Sequence, residues 1–169
     1  MKKYVRIARS FLTLLLSNRP KVFWWSVVDR FGYEKENFGD IVTPYLVEKM
    51  TGRKPVLFSP RSQFAKYFRH AVMTGSIISQ SRKNSLVWGS GIIKSNESIE
   101  GGVFLAVRGP RTAQRLRELG FNPPEVYGDP GILLPRYYCP KPAVKYKVGV
   151  ISHYVDFQDV RREAEKHQD

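Results

Sequence analysis

The sequence is short of cysteine, histidine and acid. Cys139 is the one cysteine among 169 residues. A lone thiol excludes an internal disulfide and a multi-cysteine zinc site, and it fits a reducing compartment. It sits in "RYYCPKP" with no histidine or aspartate beside it, so packing or loop structure explains it better than nucleophilic chemistry. The histidines, His70, His153 and His167, lack metal-ligand spacing, and no metal site is expected. Asp and Glu number 15 against 28 Lys and Arg, a formal charge of +13. Such an excess attracts anions: nucleic acid, an anionic membrane surface, or phosphorylated and acidic small molecules. A basic solvated surface with no specific partner is the plainer alternative.

Long apolar runs are also missing. No segment approaches the roughly 18–20 residues that span a bilayer. The start, "MKKYVRIARSFLTLLLSNRPK", imitates a signal peptide, but its apolar core is short and no small-x-small site follows. The expected location is therefore cytoplasmic. Coiled as a helix, this stretch puts Lys2, Arg6, Arg9 and Thr13 on one stripe and Tyr4, Ile7, Ala8, Phe11, Leu12 and Leu15 on the other, with no acid before Asp29. That pattern suits peripheral contact of residues 1–16 with anionic lipid. It suits packing on the chain's own domain or on a partner equally well. Specific nucleic-acid binding is not expected, because Phe23, Trp24, Trp25, Tyr137 and Tyr138 lie in apolar runs or beside prolines rather than among basic residues.

What the chain does have is ordinary globular composition, 42% hydrophobic and 25% charged. Its length suits one domain with a sizeable core. Beyond residue 20 a theme repeats: short runs rich in β-branched and aromatic residues end in small or polar turns. The runs are "KVFWWSVV", "HAVMTGSI", "NSLVWGSGII", "GVFLAVRGP", "PEVYGDPG" and "KYKVGVISHY". Alternation of strands with helices predicts an α/β fold, a parallel sheet with helices on both faces. Ligands of such sheets bind outside the carboxyl ends of the strands, where the turns gather.

Helix ends are legible in places. In "RGPRTAQRLRELGF", Pro110 suits the first helical position, Ala113, Leu116 and Leu119 mark a buried stripe, and Gly120 fits the residue past the end. In "NFGDIVTPYLVEKMTG", Thr43 as cap with Pro44 at the first position is preferred to a start at Asp40, since a proline deeper in the helix forfeits a backbone bond. Asn37 to Asp40 then forms a loop at a helix start. Gly39 allows close backbone approach there, and Asp40 either caps amides or acts on a ligand. Arg108, with Gly109 beside it before a helix N-terminus, offers a guanidinium fork next to exposed amides, or else a surface salt bridge. "GSGIIKS" lacks the third glycine of a dinucleotide fingerprint, and no Walker loop is present.

Taken in order, "NFGDIVTPYLVEKMTGR", "GSII", "VWGSGII", "AVRGPRTAQRLRELG", "YGDPGILLP" and "KVGVISHYVD" resemble the polysaccharide pyruvyltransferases. These bacterial enzymes transfer the enolpyruvyl unit of phosphoenolpyruvate to a sugar and close it into a pyruvate ketal. The resemblance covers roughly residues 22 to 157. It implies one half of a two-domain, glycosyltransferase-B-like architecture: a basic segment over 1–20, a Rossmann-like domain over 21–143, and the start of a second domain over 144–169. The family's remaining cleft residues have no counterpart in this sequence. The donor implied is phosphoenolpyruvate, with no separate cofactor, and the acceptor is a lipid-linked or polymeric sugar.

The family's acidic turn matches Asn37, Gly39 and Asp40, and its small-residue turn matches Gly89, Ser90 and Gly91. Its arginine turn matches Arg108 and Gly109, its "GDPG" turn Asp129, Pro130 and Gly131, and the strand opening its second half Ser152, His153 and Tyr154. The roles implied are donor binding for Arg108, acceptor orientation or deprotonation for Asp40, and a place near the reacting carbon for His153. Asp129 is either a proton carrier or the residue that closes its turn. A chain that keeps the fold without activity, or a basic anion- or membrane-binding module, are the other expectations.

Overall fold

The computed structural model describes residues 10–26, 38–145, 147–152 and 155–166. Contacts divide the chain into two units, residues 1–139 and 140–169. In the first unit, helical residues 10–16 (α1) lead into β1 (Lys21–Phe23), α2 (Phe38–Thr51), β2 (Val56–Leu57), β3 (His70–Val72), β4 (Ser85–Trp88), β5 (Val103–Ala106) and α3 (Pro110–Glu118). A 3-10 turn (Pro130–Leu133) and the short α4 (Leu134–Tyr137) follow.

The sheet is parallel throughout, in the order β2-β1-β3-β4-β5. The α/β expectation is met. Along β3 and β4 the side chains alternate between two cores, Val72 and Val87 on one face, Ala71 and Trp88 on the other. Val47 of α2 packs with Val22 and Met73 on the second face, while Ala113 and Leu116 of α3 join Ile77, Ile78 and Val107 on the first. Helices therefore cover both faces. Cutting the fully buried Leu116 to alanine is expected to cost about 2–5 kcal/mol.

The α3 ends match their sequence signals. Gly109 is the N-cap and Pro110 opens the helix. At the other end the Gly120 amide donates to the Arg117 carbonyl at 2.9 Å and the Phe121 amide to the Leu116 carbonyl at 2.9 Å. That paired closure folds Phe121 back onto the core beside Phe104.

Other expectations change. Helix α2 runs through Pro44, so Thr43 is not its cap; it is fully buried within the helix. Burial of Val42, Thr43, Leu46 and Val47 on one side outweighs the backbone bond that Pro44 cannot donate. The turn expected over 37–40 becomes, from Phe38 onward, the first turn of α2. "PEVYGDPG" is reduced to a single bridge between Tyr127 and Val107. The described residues of "KYKVGVISHY" form no strand, and Val148, Val150 and Ile151 are exposed. A period-2 apolar run needs a neighbouring strand to satisfy its backbone, and the described residues of the second unit supply none. Conversely β2 carries no clear sequence signal; it is two residues long and is fixed by its pairing with β1.

The second unit contributes α5 (Phe157–Glu165), whose Arg161–Glu165 and Arg162–Asp159 pairs at 2.9 and 3.1 Å lie along its exposed surface. Such pairs support a helix by only a few tenths of a kcal/mol each.

Candidate functional site

The chain leaves β1 toward β2 on one side and β3 toward β4 on the other, so the connections after these paired neighbours part and leave a crevice beyond their carboxyl ends, the usual ligand position of an open parallel sheet. A cavity of about 680 Å³ lies at that rim. Its lining includes Trp25 after β1, Thr74 to Ile77 after β3, Arg108 after β5, Asp129, and Gly39 and Asp40 from the first turn of α2. That volume falls within the range of small-molecule sites.

The turns are tied to one another before any ligand is considered. The Ser90 hydroxyl, fully buried, donates to the Gly75 carbonyl at 2.9 Å and accepts from the Ile77 amide at 3.3 Å. Gly89 has φ +85°, and a β-carbon there would lie 2.4 Å from the Gly128 carbonyl oxygen and 2.4 Å from Pro130. Only glycine fits. A β-carbon on Gly91 would meet the Arg108 side chain at 2.9 Å. The small residues after β4 therefore make room for the arginine after β5 and for the Asp129 turn.

Asp129 is the hub of this rim. Its Oδ2 accepts from Arg108 Nη2 at 2.9 Å, Arg108 Nε at 3.2 Å and the Gly75 amide at 3.1 Å, and its Oδ1 accepts from the Gly131 amide at 2.9 Å. A carboxylate so fully bonded is built to hold its neighbours in place. Arg108 also donates through Nη1 to the Ser76 hydroxyl. Three of the guanidinium's five N–H groups are thus engaged, which leaves two for another acceptor. Arg108 also borders a second cleft of about 820 Å³, lined by Gly109, Arg111 and Thr112 at the start of α3. The first-turn amides of Arg111 and Thr112 have no acceptor within the helix.

Asp40 faces the same cavity in the opposite condition. It has no ion-pair or hydrogen-bond partner among the described residues. A β-carbon on Gly75 would lie 3.5 Å from its Oδ1. Burial pushes its carboxyl above the ordinary value of 3.8. The cavity thus brings together a guanidinium with spare donors and a carboxyl group disposed to keep a proton.

Of the residues singled out from sequence, Gly39, Asp40, Arg108 and Asp129 line this cavity, while Gly89, Ser90 and Gly91 shape its wall. Gly109 opens onto the neighbouring cleft. Ser152 belongs to the second unit. Asn37 and His153 lie outside the described residues. Sequence reasoning passed over Thr74, whose side chain is buried and whose Oγ1 has no partner among the described residues, although it borders the cavity. The signal was available: Thr74-Gly75-Ser76 is a small polar triplet at the end of an apolar run. Among the described residues no cluster of His, Cys, Asp and Glu has the makings of a metal site.

Comparison with known proteins adds one relative. The chain is 32% identical over 126 residues to an uncharacterized protein of Acanthamoeba polyphaga mimivirus, a match covering 71% of this chain and 42% of that protein. The chain thus corresponds to less than half the length of the relative it matches. No family model and no solved structure matches the chain. Among the described residues no helix is long and apolar enough to cross a membrane.

Proposed function

We propose that this chain carries the donor site of a phosphoenolpyruvate-dependent pyruvyltransferase acting on a sugar, within a two-domain glycosyltransferase-B-like architecture in the cytoplasm. The observation that carries the reading is the pairing, in one cavity, of Arg108 with spare donors and Asp40 with a raised proton affinity. Phosphoenolpyruvate presents a carboxylate and a phosphate close together. Arg108 reaches one as a planar fork, and the Arg111 and Thr112 amides at the start of α3 take the other.

Ketal formation joins two sugar hydroxyl oxygens to the central carbon of the donor and releases phosphate. One hydroxyl proton ends on the terminal carbon, which becomes a methyl group, and the other leaves with phosphate. Some group must relay these protons, a service typically worth about 10²–10⁴ in rate. Asp40 is that group in this reading. Its burial keeps the carboxyl closer to neutrality than an exposed aspartate, so it can both give and take a proton. Asp129 acts as a positioning residue, aiming Arg108 through two N–H bonds.

The test is titration of the chain with phosphoenolpyruvate while its thermal midpoint is followed. A ligand confined to the folded state stabilises it by about 2.7 kcal/mol at 100 times its dissociation constant. The expected result is a saturable rise that Arg108→Ala abolishes and inorganic phosphate does not reproduce. An absent shift, or one unchanged in R108A, overturns the donor site.

A further inference from the structure

Helix α1 exposes what a globular surface ordinarily hides. Phe11 is anchored, its ring packed against Phe64, Tyr67 and Phe68 at 5.4, 5.6 and 5.4 Å between centroids. Leu12, Leu15 and Leu16 are 53%, 58% and 75% exposed. Leu12 and Leu16 share a stripe at i, i+4 spacing beside that of Phe11, while Leu15 stands one turn beyond Phe11 on the anchored ring's own stripe. The helix is held to the domain through Phe11 and still leaves three leucines more than half exposed.

The surroundings are cationic, and these cations form no ion pair among the described residues. Lys21 Nζ lies 5.1 Å from the centre of the Phe68 ring and Lys66 Nζ 4.8 Å from that of Tyr67, the same rings that seat Phe11. Arg19 donates to the Lys54 and Pro55 carbonyls at 2.9 and 2.7 Å, and Arg53 to the Asn18 amide oxygen at 2.9 Å. All of these partners are neutral. None of the four cations forms an ion pair among the described residues, where every salt bridge involves residue 82 or later. These bonds also fasten the segment after α1 to residues 53–55, so the patch is a fixed surface of the first unit.

From this juxtaposition we infer that the α1 face is a docking surface for an anionic membrane, with Leu12, Leu15 and Leu16 entering the interface and Lys21 and Lys66 meeting lipid phosphates. An acidic protein partner would answer the charge but not the protruding leucines, and a second copy would bring like charge against like. Anionic lipid satisfies both features: acyl chains take the leucines, and the negative surface holds the cations. The inference stands apart from the transferase reading, since it uses none of the cavity residues.

Flotation of the full chain with large vesicles, either neutral phosphatidylcholine or the same lipid with about a third phosphatidylglycerol, tests it. Binding is expected to the anionic vesicles, falling as salt rises. Replacing Leu12, Leu15 and Leu16 by serine is expected to cut partitioning by at least about tenfold, with cooperative thermal unfolding retained because those side chains lie outside the buried cores. Lys21→Gln and Lys66→Gln are each expected to lower it by about fivefold. Equal binding to both vesicle types, unchanged binding of the serine variant, or leucine-dependent self-association without vesicle binding overturns the inference.

Discussion

The two walls of the cavity treat a carboxylate in opposite ways. On the wall built from strand-end turns, Asp129 is saturated by N–H donors and paired with Arg108. On the wall built from the first turn of α2, Asp40 is partly desolvated and left without a partner among the described residues. Bonding makes the first group a scaffold, and the lack of it makes the second a candidate for chemistry. The difference teaches that residue type and nearness to a cavity do not assign a role; the number of donors already committed does.

The strongest way to break the comparison is to collapse the scaffold wall. Gly89→Ala adds a strained backbone and a β-carbon against Gly128 and Pro130, and a loss of about 4 kcal/mol or more is expected. Denaturant unfolding measures it, and a loss below about 1 kcal/mol would mean that the turns are not interlocked. Asp129→Asn keeps the shape but removes the charge that holds Arg108. A loss of about 2–3 kcal/mol is expected, and Arg108 should then bind anions less selectively. If stability and donor affinity are both unchanged, Asp129 is not the hub.

Asp40→Asn sharpens the contrast, because its effect on stability has the other sign. A folded-state proton affinity raised by burial means that the native carboxylate is penalised at neutral pH. The native state binds more protons than the unfolded one from the ordinary value of 3.8 up to the raised folded value. Wild-type stability therefore declines as pH rises through that window. The asparagine variant should be more stable at pH 7 by under about 1 kcal/mol, the partial exposure of the carboxyl limiting the gain. The advantage should vanish once the pH drops below the window. Under the proposed transferase reading, any pyruvyl transfer should in contrast fall by about 10²-fold or more. Paired unfolding curves at neutral and acid pH decide this, and an advantage that persists in acid rejects the mechanism. The smallest expected effect belongs to Thr74→Val, which removes a buried hydroxyl with no partner among the described residues. The ligand-free protein should gain about 1 kcal/mol at most. Under the proposed donor-site reading, phosphoenolpyruvate affinity should drop if the ligand bonds that hydroxyl, and an unchanged affinity removes Thr74 from the site.

The fold away from the site shows a similar division between what local pattern and what packing decide. His70 is read from sequence only as a histidine without metal spacing. In the structure it is buried, with Nδ1 3.0 Å from the Phe68 carbonyl and Nε2 2.8 Å from the Ser85 hydroxyl. The Phe68 carbonyl can only accept, so Nδ1 carries the proton of the neutral ring and Nε2 accepts from the Ser85 hydroxyl, which itself accepts from the Arg82 amide at 2.8 Å. Burial lowers the proton affinity of His70 further, against a smaller opposing effect of its bond to Phe68. The stability it contributes is full above its ordinary value of 6.5 and is lost as pH falls toward the lowered folded value.

By itself the sequence determined the α/β class, the strands at 70–72, 85–88 and 103–106, both ends of α3, and the gathering of polar turns at one rim. Those signals are local: side-chain period, a proline at a helix start, a glycine past its end. Tertiary structure alone decided that α2 continues through Pro44, because the gain lies in core burial of residues on either side of the proline. It alone decided that β2 exists, since a two-residue strand is defined by its neighbour. It separated Asp40 from Asp129 as well. Both are aspartates in short glycine-containing turns of the sequence, and only the approach of Arg108, Gly75 and Gly131 from distinct segments commits one of them to structure.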